Sequence, residues 1–249
     1  MELSVVTGDE TIEVVEDAPA VVAAGRAWYR HWRPLVAIAL VVAAVAAWIL
    51  LANGRAERPA SSRANPVSES VSMAPGKNTT IQQYIRESQI TSTQIRRGDP
   101  GAPVIGMGLL PGWRSLLEDT PPWAYGAVEW DSLVDPNDPP TMVVLLFKLT
   151  GDVDPAKILE YAPGELENLP NYEPVGEVNS AKLSGYDATD LSGRYTRDGK
   201  ERSIGQKTVV IPEKDAVYVL QINVDGLDGD TETLARASAM VDGQTTINP

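Results

Sequence analysis

Cysteine is absent from this chain of 249 residues. Disulfides, thiol nucleophiles and thiolate metal sites are excluded with it. Histidine occurs once, as His31, so everything C-terminal to it lacks imidazole. Ser-His-Asp and Cys-His catalysis and imidazole-bound zinc are closed to that part of the chain. Basic charge is scarce as well: 21 Lys and Arg stand against 34 Asp and Glu, a net charge of -13. An acidic surface repels phosphate backbones, so no nucleic-acid partner is expected, and direct adsorption to anionic headgroups is disfavoured. No cofactor is implied.

Long apolar runs are also few, with one exception. Leu35 to Ala52 carries neither a charge nor a strongly polar group over 18 residues. That is enough to cross about 30 Å of hydrocarbon at about 1.5 Å per residue. A cleaved signal peptide is the competing reading, but signal segments are shorter and follow a short basic start. The expectation is a transmembrane helix over 34–52. The flanking arginines tie (Arg26, Arg30 and Arg33 against Arg55, Arg58 and Arg63), with His31 tilting toward a cytoplasmic N-terminus. Residues 1–33 read as an acidic, disordered cytoplasmic head. Residues 53–78, rich in Ser, Arg, Pro, Ala and Gly, read as a flexible tether. Residues 79–249 then form an extracytoplasmic domain at the plasma membrane.

Within that domain the pattern becomes that of folded protein. Thr80 precedes Ile81, Tyr84 and Ile85 at helical spacing, so Asn78-Thr79-Thr80 reads as a helix cap although it is formally a glycosylation sequon. Val104–Leu110, Trp123–Trp130 and Thr141–Leu149 read as strands, the last so uniformly apolar that both its faces must be buried. Asp154-Pro155 starts a helix carrying Ile158, Leu159 and Ala162 inward until Pro163-Gly164 breaks it. Gly185–Tyr195, Arg202–Ile211 and Ala216–Asp225 are further strands, with a hairpin at Asp198-Gly199 and a tight connection over Pro212–Asp215. Asp230 caps a closing helix with Leu234, Ala237, Ser238 and Val241 as its inner stripe. The fold class is α+β, an antiparallel sheet flanked by helices.

The acids offer little chemistry. Asp225, Asp228, Asp230 and Glu232 resemble a calcium loop in composition, but the spacing departs from the EF-hand and the capping rule accounts for them, so no metal is expected. Asp135–Pro140 reads as a solvated loop, and nothing in the sequence places two carboxylates at glycosidase spacing. Arg97-Gly98-Asp99 spells an integrin-type tripeptide, yet with Pro100 behind it ordinary turn chemistry is the simpler reading.

The aromatics are more informative. The domain has Trp113, Trp123 and Trp130 with Tyr84, Tyr125, Tyr161, Tyr172, Tyr186, Tyr195 and Tyr218 but only Phe147, a bias toward amphipathic rings found at ligand pockets and partner surfaces. Strand alternation puts Trp123 and Tyr125 on one face and Trp130 on the other. A lipid or glycolipid groove lined by Trp113, Trp123, Tyr125 and Tyr161 is the expected ligand site. Core aromatics with polar tips at the surface are the plainer alternative.

Several strings together carry a family likeness: TIQQYIRESQI (80–90), RGDPGAPVI (97–105), GW (112–113), WAYGAV (123–128), KLTGDVDPAKILEYAPGELENLP (148–170), QKTVVIP (206–212), YVLQINVDGLDGD (218–230) and QTTINP (244–249). They resemble the LpqN/LpqT-type lipoproteins of mycobacteria from about residue 79 onward. The resemblance implies a PsbP-like fold and a non-catalytic accessory role in the cell envelope, linked to MmpL-type lipid transporters and glycolipid traffic. It brings no catalytic residues. Family lipoproteins are anchored through an acylated N-terminal cysteine, which this chain lacks, so a transmembrane helix would replace the lipid.

The combined expectation is a membrane-tethered envelope module that binds a lipid-like ligand, an MmpL-type transporter, or both. A carboxylate-dependent envelope hydrolase and a structural or host-interaction domain are the alternatives. Facing carboxylates in a cleft would favour the first, a flat apolar patch the second.

Overall fold

The computed structural model describes residues 77–249 apart from 110 and 132–136. The expected head (1–33), transmembrane helix (34–52) and most of the tether (53–78) lie outside the described residues. Among the described residues no helix is long and apolar enough to cross a membrane.

An antiparallel sheet of nine strands organises the domain, in the order β3 (Trp113–Ser115), β4 (Gly126–Trp130), β5 (Thr141–Thr150), β10 (Ala216–Leu227), β9 (Lys200–Glu213), β8 (Tyr186–Arg197), β6 (Glu173–Pro174). Two more strands share edges already in use: β1 (Thr91–Ile95) pairs with the far half of β5, and β7 (Asn179–Leu183) with the near half of β8. Strand β5 is buried on both faces from Thr141 to Phe147, as its unbroken apolar run requires. In β10, Val217 and Val219 face one core while Tyr218, Leu220, Ile222 and Val224 face the other.

One face of the sheet is covered by three short helices, α1 (Ile81–Glu87), α2 (Pro155–Tyr161) and α3 (Pro163–Glu167). Helices this short are marginal alone and depend on packing. Ile81, Tyr84 and Ile85 of α1 and Ile158 of α2 supply it against Val143, Leu145, Phe147 and Leu149. The Thr80 side chain accepts the Gln83 N–H, confirming the cap. The expected break at Pro163-Gly164 is corrected. Proline needs no N–H donor at a first helical position, so Pro163 opens α3 directly after Ala162.

The other face is covered by α4 (Thr231–Gln244) and a separate ribbon in which β11 (Thr246–Asn248) pairs with β2 (Val104–Gly106). Leu234, Ala237 and Val241 are buried as expected, but Met240 takes the fourth inner position and Ser238 is only partly covered. Strand β2 is shorter than the run Val104–Leu110 suggested; from Met107 the chain leaves the ladder. At the β8–β9 hairpin, Asp198 (φ 52°) and Gly199 (φ 74°) both adopt the left-handed backbone that two-residue turns demand. The result is a helix layer, a sheet and a helix-plus-ribbon layer.

Candidate functional site

The edge of β5 is shared, and the sharing leaves a gap. Strand β1 occupies Leu146–Thr150 and β4 occupies Thr141–Val144. Strand β4 begins with a local distortion. The Tyr125 N–H donates to the Val144 carbonyl at 2.8 Å, while Gly126 is the register partner of the same Val144. Two successive residues opposing one make a β-bulge, which bends the strand and re-aims a side chain. Where β1 departs and β4 bends, a groove of about 510 Å³ opens. That is within the size range of small-molecule sites.

Its lining is mostly apolar: Val144 and Val128 from the sheet, Ile105 of β2 with Met107 and Leu109 after it, and Pro121, Pro122 and Ala124 from the loop before β4, with Ser115 and Thr120 adding hydroxyls. Tyr125 is 5% exposed and its hydroxyl accepts the Ile105 N–H at 3.1 Å, tying that segment to the bulge. Arg96 and Arg97 stand at the rim. They belong to a turn closed by the Asp99 carboxylate, which accepts the Arg96 N–H at 2.8 Å, and by the Asp99 N–H to the Arg96 carbonyl at 3.1 Å. The tripeptide Arg97-Gly98-Asp99 is thus part of a turn. Its arginine lies over the Tyr125 ring, with the guanidinium carbon 5.3 Å from the centroid.

The four aromatic candidates do not converge. Tyr125 lines the groove. Trp113 is buried on the α4 face, 5.9 Å from Trp130 in an edge-to-face pair. Trp123 and Tyr161 pack partly buried on the α1–α3 face, where the Tyr161 ring lies 5.7 Å from Tyr84. The bulge explains the split. Simple alternation places Trp123 with Tyr125 and opposite Trp130, but β4 starts only at Gly126, and the phase slip moves Tyr125 to the core that holds Trp130. Arg96 and Arg97 went unrecognised as groove residues. The signal was present, two adjacent cations after a strand in an acidic chain.

The acidic stretches also find roles other than those expected. Asp225 is 1% exposed and bonded to Arg202 and Tyr195, with the Tyr195 hydroxyl donating to its Oδ2 at 2.6 Å. Asp228 binds Arg194 and the Ser203 hydroxyl. Asp230 is the cap residue of α4 by position, though its side chain makes no capping hydrogen bond. Capping therefore does not account for Asp225 and Asp228. Asp138 is a correction to the solvated loop. It accepts from Arg202 Nη1 at 2.9 Å and from Lys200 Nζ at 2.9 Å, with its side chain 14% exposed. Burial alone would raise its carboxyl; the Lys200 hydrogen bond and the Arg202 charge outweigh that and hold it below the usual range. Among the described residues no group of three or more His, Asp or Glu is placed to share a metal ion.

Comparison with known proteins gives the groove its context. The family described as "Probable lipoprotein LpqN" matches residues 77–248. Lipoprotein LpqN of Mycobacterium tuberculosis is 49% identical over 176 residues, covering 71% of this chain and 77% of that protein. Putative lipoprotein LpqT of Mycobacterium leprae is 20% identical over 158 residues, covering 61% and 69% respectively. A crystal structure of M. tuberculosis LpqN, described as involved in cell envelope biogenesis, superposes with a TM-score of 0.67 at 48% identity. It spans 70% of this chain and 100% of the crystallised chain, so the portion described here corresponds to the part of that relative that crystallises by itself. With half of its matched residues shared with one member and the same antiparallel α+β architecture, this chain belongs to the LpqN lipoprotein family.

Proposed function

We propose that the domain is a non-catalytic cell-envelope module that takes up the apolar part of a lipid-like molecule in the groove beside Tyr125. The observation that carries this reading is the groove itself, mostly apolar in its lining with two arginines beside it, where β1 and β4 divide the edge of β5. The description of the M. tuberculosis relative, cell envelope biogenesis, fits such a role. In place of an acylated cysteine, which is absent, the run 34–52 would hold the module at the plasma membrane. A transporter of the MmpL type is then the partner with which such a module would exchange cargo.

The hydrolase alternative finds no support in the carboxylates. Glu129 and Asp225 stand two strands apart on one sheet face, each in register with Thr141. They are 4% and 1% exposed, and each is bonded to an arginine, Arg114 and Arg202 respectively. Carboxylates so placed act as structural ion pairs, which supports the non-catalytic reading.

Native mass spectrometry of residues 77–249 purified from a mycobacterial host tests the reading. A co-purifying lipid that is lost when the groove is filled by Ala124→Leu is the expected result. A clean apo mass, with no binding of added dodecyl-chain amphiphiles, would remove it.

A further inference from the structure

Resting on the groove reading above, we propose that the ligand carries an oxyanion headgroup, phosphate or carboxylate, and that Arg97 and Arg96 are the residues that hold it. The basis is a contrast in charge pairing. Arg114, Arg194, Arg197, Arg202 and Arg236 each meet a carboxylate within ion-pair distance. Arg96 and Arg97 form no ion pair among the described residues, in a chain where acids outnumber bases 34 to 21. Among the described residues none that lines the groove is acidic, and the neighbouring Asp99 is engaged with the Arg96 backbone. Two adjacent guanidiniums that no described carboxylate pairs, beside a mostly apolar groove, are a recognition element for an anion whose tail lies inside.

Arg97 is also held in place. Its guanidinium lies over Tyr125, and Nη2 sits 3.4 Å from where a Cβ on Gly126 would stand. A guanidinium settled over a buried ring is pre-positioned for a bidentate contact, and a planar fork suits an oxyanion better than a point charge does. On the apolar side, Leu109 and Leu117 are 50% and 74% exposed at the groove, and Leu117 has a backbone φ of 34°. A leucine held in this left-handed conformation and left in water has a use at a ligand lip that it lacks in a core.

The test is isothermal titration of residues 77–249 with dodecyl phosphate, dodecyl maltoside, dodecyltrimethylammonium and inorganic phosphate, each below its aggregation threshold. Dodecyl phosphate is expected to bind at least about tenfold more tightly than the maltoside, the effect of one charge-assisted contact. The cationic amphiphile and phosphate alone should bind more weakly still. Arg97→Gln should abolish the preference for the phosphate head while leaving maltoside binding within about twofold, and Arg97→Lys should restore it only in part. Equal affinity for anionic and neutral chains, or an unchanged preference in Arg97→Gln, overturns the headgroup assignment and leaves the groove reading intact. Inorganic phosphate binding as tightly as dodecyl phosphate overturns it too, since the tail would then contribute nothing. Failure of every dodecyl chain to bind brings down the groove reading as well.

Discussion

Arg202 and Asp225 face each other diagonally across β9 and β10 with only 2% and 1% of their side chains exposed, the arginine Nε donating to Oδ1 at 2.9 Å. Around them Tyr195, Arg197, Asp138 and Lys200 complete a network of opposed charges. Burial would pull the Arg202 guanidinium down, but the Asp225 carboxylate outweighs it and holds the arginine charged. Burial, then the same carboxylate, pushes the Tyr195 phenol well above its usual range, so it donates to Asp225 as a neutral hydroxyl.

Breaking this pair from one side leaves a buried charge without its main partner. Arg202→Met is expected to cost about 3–5 kcal/mol. Adding Asp225→Leu should recover much of that loss, because two apolar groups replace two charges. Urea unfolding of both variants checks it. Additive losses in the double variant would mean that the two residues are not coupled in this way.

Glu165 gives the stability a pH dependence. The residue follows Gly164 in α3, and its carboxylate accepts backbone hydrogen bonds from Gln82 and Ile81 at the start of α1. Burial outweighs those bonds and pushes the carboxyl from 4.5 up to about 7. The folded protein therefore binds a proton over a range in which the unfolded chain has lost it. Its contribution is fully present below pH 4.5 and is lost as pH rises toward 7, with a slope of at most about 1.4 kcal/mol per pH unit. Unfolding midpoints at pH 5, 6 and 7 should fall for the native chain and change less for Glu165→Gln. Parallel curves would show that Glu165 titrates normally.

Gly164 offers a test whose sign opposes helix propensity. In a solvated helix Gly→Ala stabilises by about 1 kcal/mol. Here an added Cβ would stand 2.0 Å from the Thr79 carbonyl oxygen, where α3 meets the entry to α1. Asn78 and Asn168 lock the same junction, the Asn168 Nδ2 donating to the Asn78 carbonyl at 2.8 Å and the Asn78 N–H to Oδ1 at 3.0 Å. Gly164→Ala should destabilise by about 1–3 kcal/mol through overpacking. It should also speed hydrogen exchange in the first turn of α1. A stabilised variant would refute the close approach.

Trp123 separates the groove from the aromatic cluster first expected. It packs on the sheet face covered by α1 and α2 and is not among the groove's lining residues, so Trp123→Phe should leave amphiphile affinity within about twofold. Trp113→Ala, by contrast, empties a core position against Trp130 and is expected to cost about 3–5 kcal/mol of stability. Binding and unfolding assays on the two variants check both. A large loss of affinity in Trp123→Phe would place the ligand on the other face of the sheet.

Much of the architecture was readable because it rests on local pattern. Thr141–Thr150 is apolar at nearly every position, Asp198-Gly199 favours left-handed turn geometry, and Thr80 and Asp154 cap helices with their side chains. Strand β1 was missed because it is mostly polar, and its pairing with β5 replaces any alternation signal of its own. The Ser184-Gly185 turn between β7 and β8 uses the same left-handed pair as the other hairpin, φ 51° and 88°, but follows a strand too exposed to read as one. The groove was not readable at all. It exists because two strands distant in the chain share one edge of β5 and because one bulge shifts Tyr125, and neither fact is local.

The ribbon of β2 and β11 has a consequence for how the groove comes into being. Ile105, whose N–H anchors the Tyr125 hydroxyl, is paired with Ile247, and the Gln244 and Thr246 side chains crowd against Gly108 and Gly106. One wall is thus made of residues that lie far apart in the chain, so the groove is complete only once residues 246–248 have docked on β2. Any label or surface attachment belongs ahead of Asn78, because pulling on the other end would unzip this wall of the groove.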